Sequence, residues 1–171
     1  MLIETERLII TEFDMDMAKA VHENSLDEYT RKFLPDEVFE TLDDAKETVE
    51  FLMSQYGTED GPLVYPILTK EGDNIGYVQL APIDEGWEIG YHVGKKYTGN
   101  GYATEAVKAF MPVIACYKNI TEIYGICVSE NVASVKVMEK CGFENVFDGI
   151  GEYQGEEREI VKCIWKMPEI S

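Results

Sequence analysis

The sequence predicts an α+β, mixed α/β chain: one sheet flanked by helices, folded as a single domain over residues 1–171. Three observations carry this expectation. Strand-like and helix-like apolar patterns mix along the chain without strict alternation. No low-complexity linker, internal repeat or long charge block divides the sequence. Its 171 residues, 45% hydrophobic and 28% charged, suit one soluble domain with a substantial core.

Leu8 to Thr11 reads as the first strand. Asp14 or Asp16 can cap a short helix through Ala20 and Val21, and residues 25–40 read as a connecting segment of uncertain helix content, interrupted by Pro35. Thr41 with Asp44 resembles a capping box opening a helix that ends near Gly57. Strands follow at Val64–Thr69 and Ile75–Ala81, joined by a turn at residues 70–74, and then at Trp87–Val93. In that last strand, alternation puts Glu88, Gly90 and His92 on one face.

A polar loop with Gly99 and Gly101 then runs into a helix. Glycine lets backbone N–H groups approach a ligand, and a helix start adds unpaired donors and a positive dipole end. Together they make an anion cradle, most simply for phosphate. Ala103, Ala106, Val107, Phe110, Val113, Ile114 and Tyr117 form the apolar stripe of this helix. Pro112 predicts a kink or an early end. A strand over Ile120–Val128 precedes a helix over Val132–Lys140, which Gly142 closes in the left-handed conformation. Final strands are expected at Glu144–Phe147 and Arg158–Met167.

The net charge of −18 is unevenly placed. Between Glu88 and Gly142 six bases meet five acids, whereas the rest of the chain holds nine bases and 28 acids. Such a surface repels nucleic acid and anionic lipid and attracts cations, unless the acids serve solubility alone. No apolar run is long enough to span a membrane, and the N-terminus lacks a secretory pattern. Cys116, Cys127, Cys141 and Cys163 stand singly in apolar segments, which reads as buried reduced thiols in a cytoplasmic protein.

TERLIITEF, EIGYHVGKKYTGNGYATEA and VSENVASVKVMEKCGFE, in this order, resemble the GNAT superfamily of acetyl-CoA-dependent N-acetyltransferases. The resemblance runs from Thr5 to about Met167, and is nearest the Rim-type branch that holds ribosomal-protein N-terminal acetyltransferases. It implies a mostly antiparallel twisted sheet of six to seven strands with a V-shaped splay, flanked by about four helices.

It further implies that Thr98, Gly99, Asn100, Gly101, Tyr102 and Ala103 bind the coenzyme pyrophosphate. Thr98 stands where the wider superfamily has Gln or Arg, so one side-chain contact is in doubt. Lys95, Lys96 and Lys136 can add charge, or simply be solvated. A bulge is expected to splay the strand at Trp87–Val93 from the one at Ile120–Val128, leaving main chain near Tyr91 and Val93 for the pantetheine arm. Asn131 is implied to bond that arm and Ser134 to sit near the thioester sulfur, although either can serve the helix start instead.

Acetyl transfer to an amine needs a base, because an amine near pKa ~10.4 is mostly protonated at neutral pH. Glu88 is the first candidate and His92 the second. A backbone N–H near Val93 can stabilise the oxyanion and Ser134 can serve the leaving thiolate, with Tyr124 and Tyr102 as other hydroxyls. The reading is direct transfer in a ternary complex, without metal or acyl-enzyme, by a monomer or homodimer. The acids Asp27, Glu28, Asp36, Glu37 and Glu40, with Glu152, Glu156, Glu157 and Glu159, point to a cationic acceptor such as a polyamine, an aminoglycoside or a basic peptide N-terminus. The alternative is an acetyl-CoA sensor or scaffold without turnover. A dinucleotide-binding oxidoreductase fails on spacing, lacking the third glycine and the later strand-end acid.

Overall fold

The computed structural model describes residues 1–169. Eight strands form one sheet in the order β1-β2-β3-β4-β5-β6-β8-β7. They span Ile3–Glu4 (β1), Leu8–Ile10 (β2), Leu63–Thr69 (β3), Asn74–Ile83 (β4), Gly86–Val93 (β5), Glu122–Val128 (β6), Glu144–Tyr153 (β7) and Glu156–Lys166 (β8). Every neighbouring pair is antiparallel except β5 with β6. The helices are α1 (Ala18–Asn24), α2 (Glu28–Phe33), α3 (Leu42–Gln55), α4 (Tyr102–Lys118) and α5 (Val132–Lys140).

Local chemistry explains most of these boundaries. The side chains of Asp14, Asp27, Thr41 and Asn131 each accept a backbone N–H at the start of their helical segment. β3 is buried along nearly its whole length because helices cover both faces of the sheet centre. Phe110, Met111 and Ile114 of α4 join Leu63, Ile67 and Leu80 in the main core. Across the sheet, Ala18 of α1 and Val49 of α3 pack on Val64 in a smaller one.

Several expectations need correction. Pro112 does not end α4, which runs unbroken to Lys118. An internal proline costs roughly 3 kcal/mol, but burying side chains such as Phe110 and Met111 yields roughly 1.5–3 kcal/mol each, so packing prevails. The buried stripe also turns towards Met111 and Ala115, leaving Val113 and Tyr117 exposed. Cys116 lies on that solvent face, whereas the other three cysteines are buried.

β1 and the full length of the β7–β8 hairpin exceed the expected strands. β7 is a sheet edge with mostly exposed residues, so it carries little apolar alternation to read. The segment at residues 25–40 contains α2 and a 3-10 turn at Pro35–Glu37.

Candidate active site

The site is a wedge in the sheet. β5 pairs with β4 continuously from Val93 to Gly86, but meets β6 through the single pair Glu88–Tyr124. Beyond that pair the two strands separate, so the expected splay is present. The expected bulge in β5 is not: register shifts occur at Ile67/Leu68 and Asn145/Phe147 instead. A parallel neighbour reached through α4 diverges here without an inserted residue.

One cavity, about 430 Å³, occupies the wedge on the α4 and α5 side. Tyr91, Val93, Thr98, Ala103 and Ser134 all line it. At its end Gly99 and Gly101 hold φ values of 81° and 78°, a left-handed backbone that favours glycine. A Cβ on Gly99 would meet open space, and one on Gly101 only the Arg7 guanidinium at 3.6 Å. No side chain caps α4, so its first N–H groups remain available to a ligand.

The loop's own side chains are occupied with the loop. Thr98 Oγ1 donates to the Lys95 carbonyl, and Asn100 Nδ2 donates to the carbonyls of Tyr97 and Thr98. Tyr102 packs beneath the Arg7 guanidinium, 4.5 Å from the ring centroid, while Arg7 Nε donates to Glu105 at 2.7 Å. The TERL segment thereby anchors the first turn of α4. Lys95 reaches the cavity wall and Lys136 is exposed on α5.

A second cavity, about 450 Å³, lies on the far side of the wedge and is lined by Glu88, Glu37, Asp84, Glu85, Glu152 and Tyr153 among others. Burial, then the nearby charges of Glu37 and Glu85, push the Glu88 carboxyl up to about 7, although Lys162 pulls it down. Burial also raises Glu37, whose carboxylate accepts the Tyr77 hydroxyl. Of the nine acids expected to face an acceptor, only Glu37 and Glu152 line this chamber. Asp27 caps α2, Glu40 is paired with Arg31, and the β4–β5 turn supplies Asp84 and Glu85 instead.

Three hydroxyl residues, Tyr29, Tyr91 and Ser134, line both cavities and mark their junction. Tyr91 Oη lies 2.7 Å from Ser134 Oγ and also donates to the Ser134 carbonyl at 2.9 Å. Asn131 Nδ2 donates to Tyr29 Oη at 2.8 Å, and Asn131 Oδ1 accepts the Ser134 N–H at 3.3 Å. Asn131 therefore both caps α5 and faces the junction. Tyr124 and Tyr102 line neither cavity.

His92 is 5% exposed and shares its strand face with Glu88, yet it does not line the Glu88 chamber. Its Nε2 lies 3.1 Å from the Asn24 carbonyl and 3.2 Å from Thr30 Oγ1. Its ring stacks on Tyr29 at 6.1 Å, and burial lowers its pKa. These contacts tie α1 and α2 to the sheet, and the residue also lines the cavity on the α4 and α5 side. Burial pushes the thiols of Cys127 and Cys141 up to about 11, which leaves them poor nucleophiles.

Sequence reasoning missed Tyr29 as a member of the site and named Glu37 only as one of nine acids expected to face an acceptor. Asp27, whose Oδ1 accepts the Thr30 N–H and hydroxyl, was the available signal for α2. No local pattern marks Glu37.

Comparison with known proteins agrees with this architecture. Residues 7–144 match the family model described as an acetyltransferase (GNAT) domain. The N-acetyltransferase YnaD of Bacillus subtilis, itself uncharacterised, is 32% identical over 145 residues, covering 83% of this chain and 82% of that protein. A GNAT-family acetyltransferase from Bacillus anthracis superposes with a TM-score of 0.82 at 27% identity, over 97% of this chain and 98% of its own. A ribosomal L7/L12 alpha-N-protein acetyltransferase in complex with coenzyme A shares the fold, with a TM-score of 0.83 at 19% identity over 98% of both chains.

Proposed function

The chain belongs to the acetyltransferase (GNAT) domain family and is an N-acetyltransferase, and from that premise we propose that it transfers acetyl from acetyl-CoA directly to a cationic primary amine. The carrying observation is the meeting of two unlike cavities at Tyr29, Tyr91 and Ser134. One ends at a left-handed glycine loop and an uncapped helix start, which fit a pyrophosphate. The other presents a carboxylate whose pKa lies near neutrality. A sensor without turnover has no use for such a group. One sheet runs through the described chain, which supports a single catalytic domain.

The backbone of Gly99, Gly101 and Ala103 holds the diphosphate, and the unpaired edge of β5 near Tyr91 and Val93 lies along the pantetheine arm. Asn131 turns from Tyr29 to that arm. In the chamber Glu88 takes the proton from the ammonium, directly or through water, and its raised pKa matches the task at neutral pH. A β5 N–H near Val93 faces the developing charge on the carbonyl oxygen. Ser134, with Tyr91 bonded to it, offers a hydrogen bond to the departing sulfur. Chamber acids hold the acceptor's positive charge, favouring polyamines, aminoglycosides or basic peptide N-termini.

The test is Glu88→Gln. It should lower kcat roughly 10²–10⁴-fold and remove the rise in kcat through about pH 7, with acetyl-CoA binding intact. An unchanged pH profile would take the base role away from Glu88.

A further inference from the structure

Behind the Glu88 chamber, on the same face of the sheet, lies a third cavity of about 240 Å³. Its wall is mainly apolar: Val21 from α1, Leu52 from α3, Val64 from β3, and Phe39 from the segment before α3. Phe51, also on this wall, is 53% exposed. The cavity is partly open to solvent, in contrast to the closed main core around Phe110 beneath α4. An apolar space of this size has room for a side-chain-sized group.

The cavity adjoins the acceptor chamber. Glu37, Tyr77 and Gln79 line both, so these three side chains form the partition between them. One contact closes its polar part: the Tyr77 hydroxyl donates to the Glu37 carboxylate. Tyr77 is fixed on β4, where it pairs across to His92. Glu37 sits on the short 3-10 turn at Pro35–Glu37, outside the sheet. The acidic half of the partition therefore lies on a turn and the hydroxyl half on the sheet, and an arriving ammonium can compete with the Tyr77 hydroxyl for that carboxyl group.

We propose that the cavity behind Tyr77 and Glu37 is a subsite for an apolar arm carried next to the reacting amine, which makes the acceptor an amphipathic cation rather than a uniformly polar one. This rests on the reading of the Glu88 chamber as the acceptor site. The wall shared with that chamber, and the carboxyl groups of Asp36 and Glu37 on the cavity wall, argue for an arm that arrives attached to a cation. A free hydrocarbon would gain nothing from either.

Two sources offer this chemistry, a peptide N-terminus and a small diamine, and acceptor-dependent thiol release separates them. The peptide arm compares Gly-Arg, Leu-Arg and Phe-Arg amides. The small-molecule arm compares 1,3-diaminopropane with its 2-benzyl derivative. In at least one series KM should fall tenfold or more when the apolar group is added. Val21→Phe, which fills the cavity, should erase that gain while leaving KM for acetyl-CoA and for the arm-less acceptor unchanged. Phe39→Ala, which widens it, should shift preference towards the larger arm and keeps the test decisive if Val21→Phe folds poorly. Turnover of the arm-less cations with no preference for the arm in either series overturns the subsite alone. No release with any of these amines, despite normal acetyl-CoA binding, overturns the cationic-acceptor reading and the subsite with it.

Discussion

The two cavities that we propose hold the coenzyme and the acceptor, the groove and the chamber, share β5 and the hydroxyls at its side, yet they are built from different materials. The groove is made of backbone: two left-handed glycines, an uncapped helix start and an unpaired strand edge. The chamber is made of side chains from segments distant in sequence, with Glu37, Glu88 and Glu152 arriving from a 3-10 turn, a central strand and an edge strand. A backbone site recognises a ligand part that does not vary, whereas a side-chain site can be altered residue by residue without disturbing the sheet.

The largest effect that tests this contrast is Gly101→Val. The substitution forces a β-branched residue into φ 78° at the start of α4, with its Cβ 3.6 Å from the Arg7 guanidinium, and so distorts the backbone that we propose as the phosphate cradle. We expect KM for acetyl-CoA to rise by roughly 30-fold or more, corresponding to about 2 kcal/mol. Gly72→Val is the control, because Gly72 also has positive φ, 94°, with nothing within 4 Å of a Cβ, but lies in the β3–β4 turn. Both variants should lose similar stability in urea unfolding. If both also raise the coenzyme KM equally, the cradle is not made by Gly101.

This contrast in materials explains what could be read from the chain. The glycine loop could be read locally because Gly99 to Ala103 form one loop and helix start. Asn131 and Ser134 were named through the family resemblance, and alternation put Glu88 on one strand face with Gly90 and His92 without singling it out. Tyr29 was not, because α2 is a six-residue helix whose fold depends on the Asp27 cap and on packing against His92. Glu37 was named as one of nine acids, but its contact with Tyr77 and its place beside Glu88 are tertiary facts that no periodicity encodes. In the fold, Pro112 and the exposed β7 misled for the same reason, since tertiary burial and edge position override local pattern.

A smaller effect sharpens the chamber's side of the comparison through stability. Glu88 has an ordinary value of 4.5 and a folded value of about 7, so between those pH values the native state holds a proton that the unfolded chain has released. Stability therefore falls as pH rises through this window, and the full cost of the buried charge remains above it. Glu88→Gln keeps the shape without the charge. It should be about 1–3 kcal/mol more stable than the natural protein at pH 8, with the difference vanishing near pH 4. Urea unfolding across that range measures it, and a pH-independent difference would show that Glu88 is not held against its charge.

Salt gives the smallest effect and separates the two sites without mutation. Ions screen exposed charges beyond about 10 Å at 0.1 M and beyond about 3 Å at 1 M. A cation drawn by Asp84, Glu85 and Glu152 at the chamber rim should bind more weakly as salt rises, by a few-fold in KM between about 0.02 and 0.5 M. The cavity proposed for acetyl-CoA carries both signs, Lys95 beside Asp27 and Glu28, whereas the chamber rim carries acids alone, so the KM for acetyl-CoA should shift less. An equal salt response of both substrates would mean that the attraction comes from the net charge of −18 over the whole surface. A response confined to the acceptor assigns it to the chamber, where single substitutions can then apportion it among the three acids.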